Sequence, residues 1–233
     1  MNKVWLFRIL ALALPAALIV FTGCGTAPEA APPSTVAPQP GEIPLPKPRL
    51  VGEISLEEAL ASRRSVREFT DQALTWDEVS QLLWSAQGLT DPAGLRTAPS
   101  AGALYPLAIY VVLPDGAHHY LPQGHALQSV SQNDLREDLF GTALRQDALR
   151  QAPAIFVIAA VYERTEAKYG ERAERYVHLE AGHAAQNLLL QAAALELGAV
   201  PIGAFDDDAV QDALGLPADY RPLYLIPVGH PRE

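Results

Sequence analysis

The chain has 233 residues, with 17 basic against 27 acidic, and carries a formal net charge of −10. That balance argues against nucleic acid as a partner, because polyanions are held mainly by neutralising phosphates with lysine and arginine. A single cysteine, Cys24, excludes an intramolecular disulfide, a cysteine-ligated zinc site and a cysteine nucleophile elsewhere in the chain.

Lys3 and Arg8 precede an uncharged run of 15 residues, 9–23, which ends at Cys24. A spanning helix needs roughly 20 apolar residues, and Pro15 interrupts this run, so residues 1–23 read as a cleaved export signal. The tetrad "FTGC" resembles the lipobox of bacterial lipoproteins, in which the cysteine is lipidated and becomes the new N-terminus; Phe21 stands where leucine is usual. The expectation is an exported protein, anchored to the bacterial membrane through lipid on Cys24 and lying outside the cytoplasm. Each buried methylene of such an anchor contributes about 0.8 kcal/mol. Residues 25–50 carry eight prolines in 26 positions, a composition suited to extended polyproline II, so 24–52 is read as a tether. Residues 53–233 remain as one domain. Without Lys3 and Arg8, the mature chain has 15 basic against 27 acidic residues, a net charge of −12.

Within the domain, Ser55 with Glu58 three residues on predicts a capping box and a helix running toward three clustered arginines. Thr75 with Glu78 repeats the signature. Val79, Leu82, Leu83 and Ala86 follow helical spacing there, and Gly88 marks the stop. The stretch 107–113, "LAIYVVL", turns at "PDG" into "HHYLP" and predicts a strand pair; "AIFVIAAV", 154–161, predicts a strand buried on both faces. The longest helical pattern spans 171–197, with Gly198 at its end. A short helix near 206–214 and the strand "LYLIPVG" complete an α+β domain, helices around a mixed sheet.

Several chemistries are set aside by pattern. No Gly-rich dinucleotide turn, P-loop or nucleophile elbow is present. "HLEAGH" is not HExxH: His178 and His183 are five apart and diverge on a helix, and no metal site is expected. What remains is "RRSVREF", where Arg63, Arg64 and Arg67 surround Ser65 in an acidic chain. Guanidinium forks and a hydroxyl match phosphate oxygens; the plain alternative is that the arginines complement a helix end and pair with Glu68 and Asp71. Two stretches of small residues, Ser100 to Ala103 and Pro201 to Ala204, would let backbone approach a flat ligand, or are simply turns.

Taken in order, "RRSVREF", "RTAPSAGALYP", "KYGERAERYVHLEAGHAAQNLLL" and "GAVPIGAFDDD" resemble the nitroreductase family, flavin proteins that hold FMN between two subunits. The resemblance runs from about Glu53 to Arg232. More narrowly, it is to the SagB-type branch, whose known members dehydrogenate azolines to thiazoles and oxazoles in peptide natural products. It implies a nitroreductase-like α+β fold with a mixed central sheet surrounded by helices, a homodimer, and FMN at the dimer interface. It implies further that Arg63, Ser65 and Arg67 hold the phosphate and ribityl chain, with Arg64 near the isoalloxazine edge. Ser100, Gly102 and Ala103 would lie near the flavin, Pro201, Ile202 and Gly203 would flank its ring, and Arg232 would reach the phosphate. Many members have an acidic residue where Gly203 stands.

"KYG" is similar to the Lys-Tyr pair implicated in that branch, which makes Lys168 and Tyr169 the candidate catalytic pair. After the signal the chain uses 13 arginines but only two lysines, Lys47 and Lys168, and lysine can be tuned to release a proton whereas arginine cannot. The plain alternative is a solvated lysine ahead of a helix. The expected activity is FMN-dependent hydride transfer with a small-molecule or peptide substrate, the classes in view being azolines, nitro compounds and quinones. The competing readings are a non-catalytic flavin-binding or electron-relay lipoprotein, and a structural envelope lipoprotein whose arginines only form ion pairs.

Cys24→Ser is expected to abolish lipidation and release the protein from membranes, checked by fractionation after a high-salt wash; retention of the variant with membrane contradicts the lipobox reading.

Overall fold

Two strands organise the domain because they are apolar on both faces. In the computed structural model, which describes residues 41–232, β2 (Leu107–Leu113) and β5 (Ala154–Val161) are buried along their whole length and pair antiparallel at the centre of a seven-stranded sheet. Side chains alternate across the sheet. Leu107, Ile109, Val111, Phe156 and Ile158 face one core, and Tyr110, Val112, Ile155 and Val157 face the other. The first core is closed by α2 (Trp76–Gln87) and α6 (Ala173–Ala194), through Leu82, Leu83, Leu188 and Ala184. The second is closed by α3 (Arg136–Thr142) and α7 (Asp207–Leu214), through Leu139, Phe140, Val210 and Leu214. The result is a three-layer α/β/α sandwich.

The remaining strands are β1 (Glu42–Pro44), β3 (Gly116–Leu121), β4 (Ala126–Ser131), β6 (Gly198–Ala199) and β7 (Tyr220–Gly229), and the order across the sheet is β1-β4-β3-β2-β5-β7-β6. All pairs of these strands are antiparallel, so the mixed sheet expected from the sequence is corrected to an antiparallel one. The reason is connectivity: β2, β3 and β4 follow one another through short turns, which can only reverse the chain. A single parallel bridge, Ser65 with Ala199, lies outside the named strands.

Both capping boxes form as their spacing requires. Ser55 opens α1 (Leu56–Ser62) and Thr75 opens α2, each with reciprocal bonds to the glutamate three residues on. The long helix is shorter at both ends than its apolar pattern suggests. A separate helix, α5 (Glu163–Tyr169), and a 3-10 turn at Gly170–Arg172 precede α6, which ends at Ala194. Gly198 is therefore not a helix stop. It sits in β6, and a Cβ there would lie 2.6 Å from Cγ1 of Val66. The glycine lets residues 65 and 66 lie against the sheet edge. The helices α3, α4 (Asp147–Gln151) and α5 lack a side-chain N-cap bond, although Asp134 with Glu137 ahead of α3 has the capping-box spacing.

The tether ends earlier than expected. From Glu42 the chain joins the fold: β1 pairs with β4 as an edge strand, where Pro44 is tolerated, and Leu45 is buried. Ser80 Oγ donates to the Pro46 carbonyl at 2.6 Å, and Gln81 brackets Arg49 with bonds to its N–H and its carbonyl. Extended proline-rich backbone leaves its carbonyls free, and here buried side chains of α2 take them. The domain boundary expected at residue 53 thus moves to about 42. The export signal, Cys24 and the tether up to residue 40 lie outside the described residues.

Gly198→Ala is expected to destabilise the domain by about 1–3 kcal/mol, because the new methyl meets the branched Val66 side chain in a closed edge. Urea denaturation measures it; an unchanged midpoint means that residues 65 and 66 can shift freely.

Candidate functional site

The arginine stretch is held by backbone on two sides. Arg63 leaves α1 as its C-cap. The chain then runs extended, with the Val66 N–H donating to the Ala199 carbonyl and the Thr70 N–H donating to the His230 carbonyl. The Arg232 N–H donates to the Glu68 carbonyl, and Phe69 bridges Pro231. Phe69 is fully buried against Ala148, Ala152 and Val200, and Val66 packs beside it. Anchored by those two side chains, the segment leaves Arg64, Ser65 and Arg67 exposed and Arg63 half-buried, and it brings Arg232 to the same edge. Pro201, Ile202 and Gly203 follow Ala199 after Val200. Ile202 is buried and exchanges both backbone bonds with Leu225 of β7, while Gly203 is exposed.

Among the described residues, no carboxylate forms an ion pair with Arg63, Arg64, Arg67 or Arg232. The expected alternative pairing with Glu68 and Asp71 is absent from these residues. Its helix-end half is present in one residue: Arg64 Nη1 donates to the carbonyls of Ala61 at 2.9 Å and Arg63 at 2.8 Å. Arg67 reaches only the Ser65 carbonyl, at 3.5 Å. The edge therefore concentrates positive charge on an acidic chain without neutralising it.

A second group forms around Gly102. Ala101–Ala103 is a 3-10 turn in which Gly102 has φ 63°, with Ala103 and Tyr105 also left-handed at 54° and 47°. Ser100 holds the turn, its Oγ accepting from the Tyr105 N–H at 2.9 Å. Lys168 and Tyr169, at the end of α5, converge on it. A Cβ at position 102 would lie 2.8 Å from Lys168 Nζ and 2.9 Å from Tyr169 Oη, so it would push the ends of both side chains aside, while the left-handed φ is what favours glycine. Lys168 is exposed, and the Tyr169 ring meets that of Tyr176 edge-on at 4.9 Å. Among the described residues no hydrogen bond joins this group to the arginine edge.

Beneath the turn lies a carboxyl that the sequence reading missed. Glu180 of α6 is 2% exposed, and burial pushes it up to about 7 against the opposing pull of the Ser100 hydroxyl, Arg96 and Gln87. Gln87 connects them, accepting from Arg96 Nη1 at 3.0 Å and donating to Glu180 Oε1 at 3.5 Å. The available signal was position: Glu180 stands between Val177 and Ala184 on the buried stripe of a helix, where an acid is costly unless it is bonded.

The nitroreductase family profile matches residues 60–230. The chain belongs to the nitroreductase family. It is 44% identical over 198 residues to a nitroreductase-family relative from Methanocaldococcus jannaschii, spanning 82% of this chain and 98% of that protein. An FMN reductase (NADPH) of Bacillus subtilis is 27% identical over 188 residues, 75% of this chain and 65% of that protein. Among solved structures, a nitroreductase-family protein from Ralstonia eutropha has a TM-score of 0.75 at 30% identity, covering 88% of this chain and 96% of that one. The nitroreductase fold thus carries both the arginine edge and the Gly102 turn.

Because the Glu180 carboxyl is held above its ordinary value, the unfolded chain releases that proton first as pH rises. The contribution to stability is full below about 4.5 and lost as pH passes through about 7, a difference of about 3 kcal/mol. Glu180→Gln is expected to remove this loss, so the stability of wild type relative to the variant falls between pH 4.5 and 8 in urea titrations. A constant difference across that range contradicts a buried, protonated Glu180.

Proposed function

We propose that the protein is an FMN-dependent oxidoreductase acting as a homodimer, in which the arginine edge of each chain holds the flavin phosphate. The observation that carries this reading is the set of guanidinium groups left without carboxylate partners on a chain of net charge −10. Fit follows from the donor set: Arg63, Arg67 and Arg232 offer forked donors, Ser65 a hydroxyl, and Gly203 a surface without a side chain. The FMN reductase of B. subtilis among the relatives is consistent with the same cofactor. When bound, the flavin supplies a two-electron hydride acceptor and donor.

The chain's own residues divide the remaining work. Arg63, Arg67 and Arg232 bind and orient through charge-assisted hydrogen bonds, each contributing roughly 1.5–3 kcal/mol. Arg64, whose guanidinium is turned back to the end of α1, contributes mainly field. Lys168 Nζ and Tyr169 Oη converge over Gly102 and hold or take up the proton that accompanies hydride transfer. In the homodimer proposed, as in the nitroreductase resemblance that places FMN between two subunits, a second copy would bring its Gly102 surface to the arginine edge. Azoline dehydrogenation in the SagB manner is the finer reading. It rests on the Lys168-Tyr169 pair, whereas an exported, lipid-anchored setting favours a small electron donor or a quinone instead.

The purified protein is expected to be yellow and to release FMN on denaturation. Arg63→Ala should lose flavin. Lys168→Ala and Tyr169→Phe should keep it and slow its reduction by about 10² to 10⁴-fold. Stopped-flow reduction with azoline peptides, reduced quinones and nicotinamides makes the comparison. Equal rates in wild type and both variants remove the pair from the chemistry, and no reduction by any donor favours a flavin carrier instead.

A further inference from the structure

Away from the Gly102 surface, a cavity of about 210 Å³ opens between β2, β3, the end of α2 and α5. Two guanidinium groups line it. Arg96 is half-buried; its Nη1 bonds to Gln87, its plane lies 4.4 Å over the Tyr105 ring, and its Nε is buried with no hydrogen-bond acceptor among the described residues. Arg164 closes the outer side, with only two long contacts at 3.4 Å, to the Tyr105 carbonyl and the Tyr220 hydroxyl. Neither forms an ion pair among the described residues. Glu180 is linked to Arg96 by hydrogen bonds only through Gln87, although the two also attract through charge, and burial pushes the carboxyl up to about 7.

The other lining groups do not balance this charge. His119 stacks on Tyr110 and is pushed down to about 4, chiefly by burial and then by Arg164, so near neutral pH it is an uncharged hydrogen-bonding group. Leu107, Ile109 and Pro122 add apolar wall. A pair of under-used guanidiniums lining one cavity of mixed polar and apolar wall offers the donors of a carboxylate site. In size, an engineered cavity of about 150 Å³ admits benzene, so this one admits an acid of about the bulk of benzoate.

We propose that this cavity binds a small monocarboxylate, with the carboxylate seated between Arg96 and Arg164. The site is distinct from the proposed redox surface yet mechanically close to it. Arg164 lies one helical turn before Lys168 on α5, and Tyr105, which contacts both arginines, ends the strained turn that carries Gly102. The proposal does not depend on flavin chemistry.

Titration calorimetry of benzoate and of its uncharged isostere benzamide into the purified full chain tests it. Benzoate is expected to bind at least about tenfold more tightly than benzamide, and Arg164→Gln to weaken benzoate by about tenfold or more, the loss of one charge-assisted contact. Arg164 is exposed, so this variant leaves the core intact, and Lys168→Ala is expected to leave benzoate binding unchanged. No heat from millimolar benzoate, or equal affinity for the amide, overturns the proposal. So does binding that survives Arg164→Gln but is lost in Lys168→Ala, which puts the acid on the Gly102 surface.

Discussion

The constraint on which the site depends is the pinning of residues 65–70 between two other pieces of chain. Ala199 holds Val66 from one side, residues 230 and 232 hold the other, and Phe69 is driven fully inside. Val66 and Phe69 are the side chains this segment turns inward, and Ser65, Arg67 and Glu68 are left outside. Arg63 at the end of α1 and Arg232, whose N–H donates to the Glu68 carbonyl, join Ser65 and Arg67 on that edge. Like charges gathered on one edge repel, and exposed guanidiniums gain nothing from one another. An acidic chain has 27 carboxyl groups with which to neutralise them, yet none of the described ones does so. Such an arrangement is well suited to an external anion.

The Gly102 turn is built on a different logic. Its backbone holds three consecutive or near-consecutive left-handed residues, a conformation stabilised from below by Ser100, Glu180 and the Arg96-Gln87 link. Buried polar networks of this kind are costly when any member is left unpaired. A carboxyl that keeps its proton near neutrality can donate as well as accept, which eases that cost at Glu180. The same network joins the floor of the turn to the cavity walled by Arg96 and Arg164, so the two surfaces share supporting residues.

How much of this was legible in the sequence follows from the range of each signal. Capping boxes at Ser55 and Thr75, the doubly apolar strands 107–113 and 154–161, and the short helix near 207 are local patterns, and the structure has them where they were expected. Long-range pairings were not legible. Nothing local says that the proline-rich residues 42–49 lie against β4 and α2, because their partners, Ser80, Gln81 and His125, are more than 30 residues away. The role of Gly198 reversed for the same reason: a glycine after a helix reads as a cap, and only the fold shows Val66 pressed against it. The arginine cluster was visible as composition, but its lack of carboxylate partners is a three-dimensional fact. The meeting of Lys168 and Tyr169 with Gly102 joins residues 66 and 67 apart.

The central claim is that the arginine edge recognises a phosphate, and the phosphate is the one difference between FMN and riboflavin. Fluorescence-quenching titrations of the flavin-free protein with both ligands at low and high salt test it most directly. The account predicts that FMN binds at least about 100-fold more tightly than riboflavin, the effect of two or more charge-assisted hydrogen bonds, and that added salt narrows the gap. Equal affinities at low salt would contradict it.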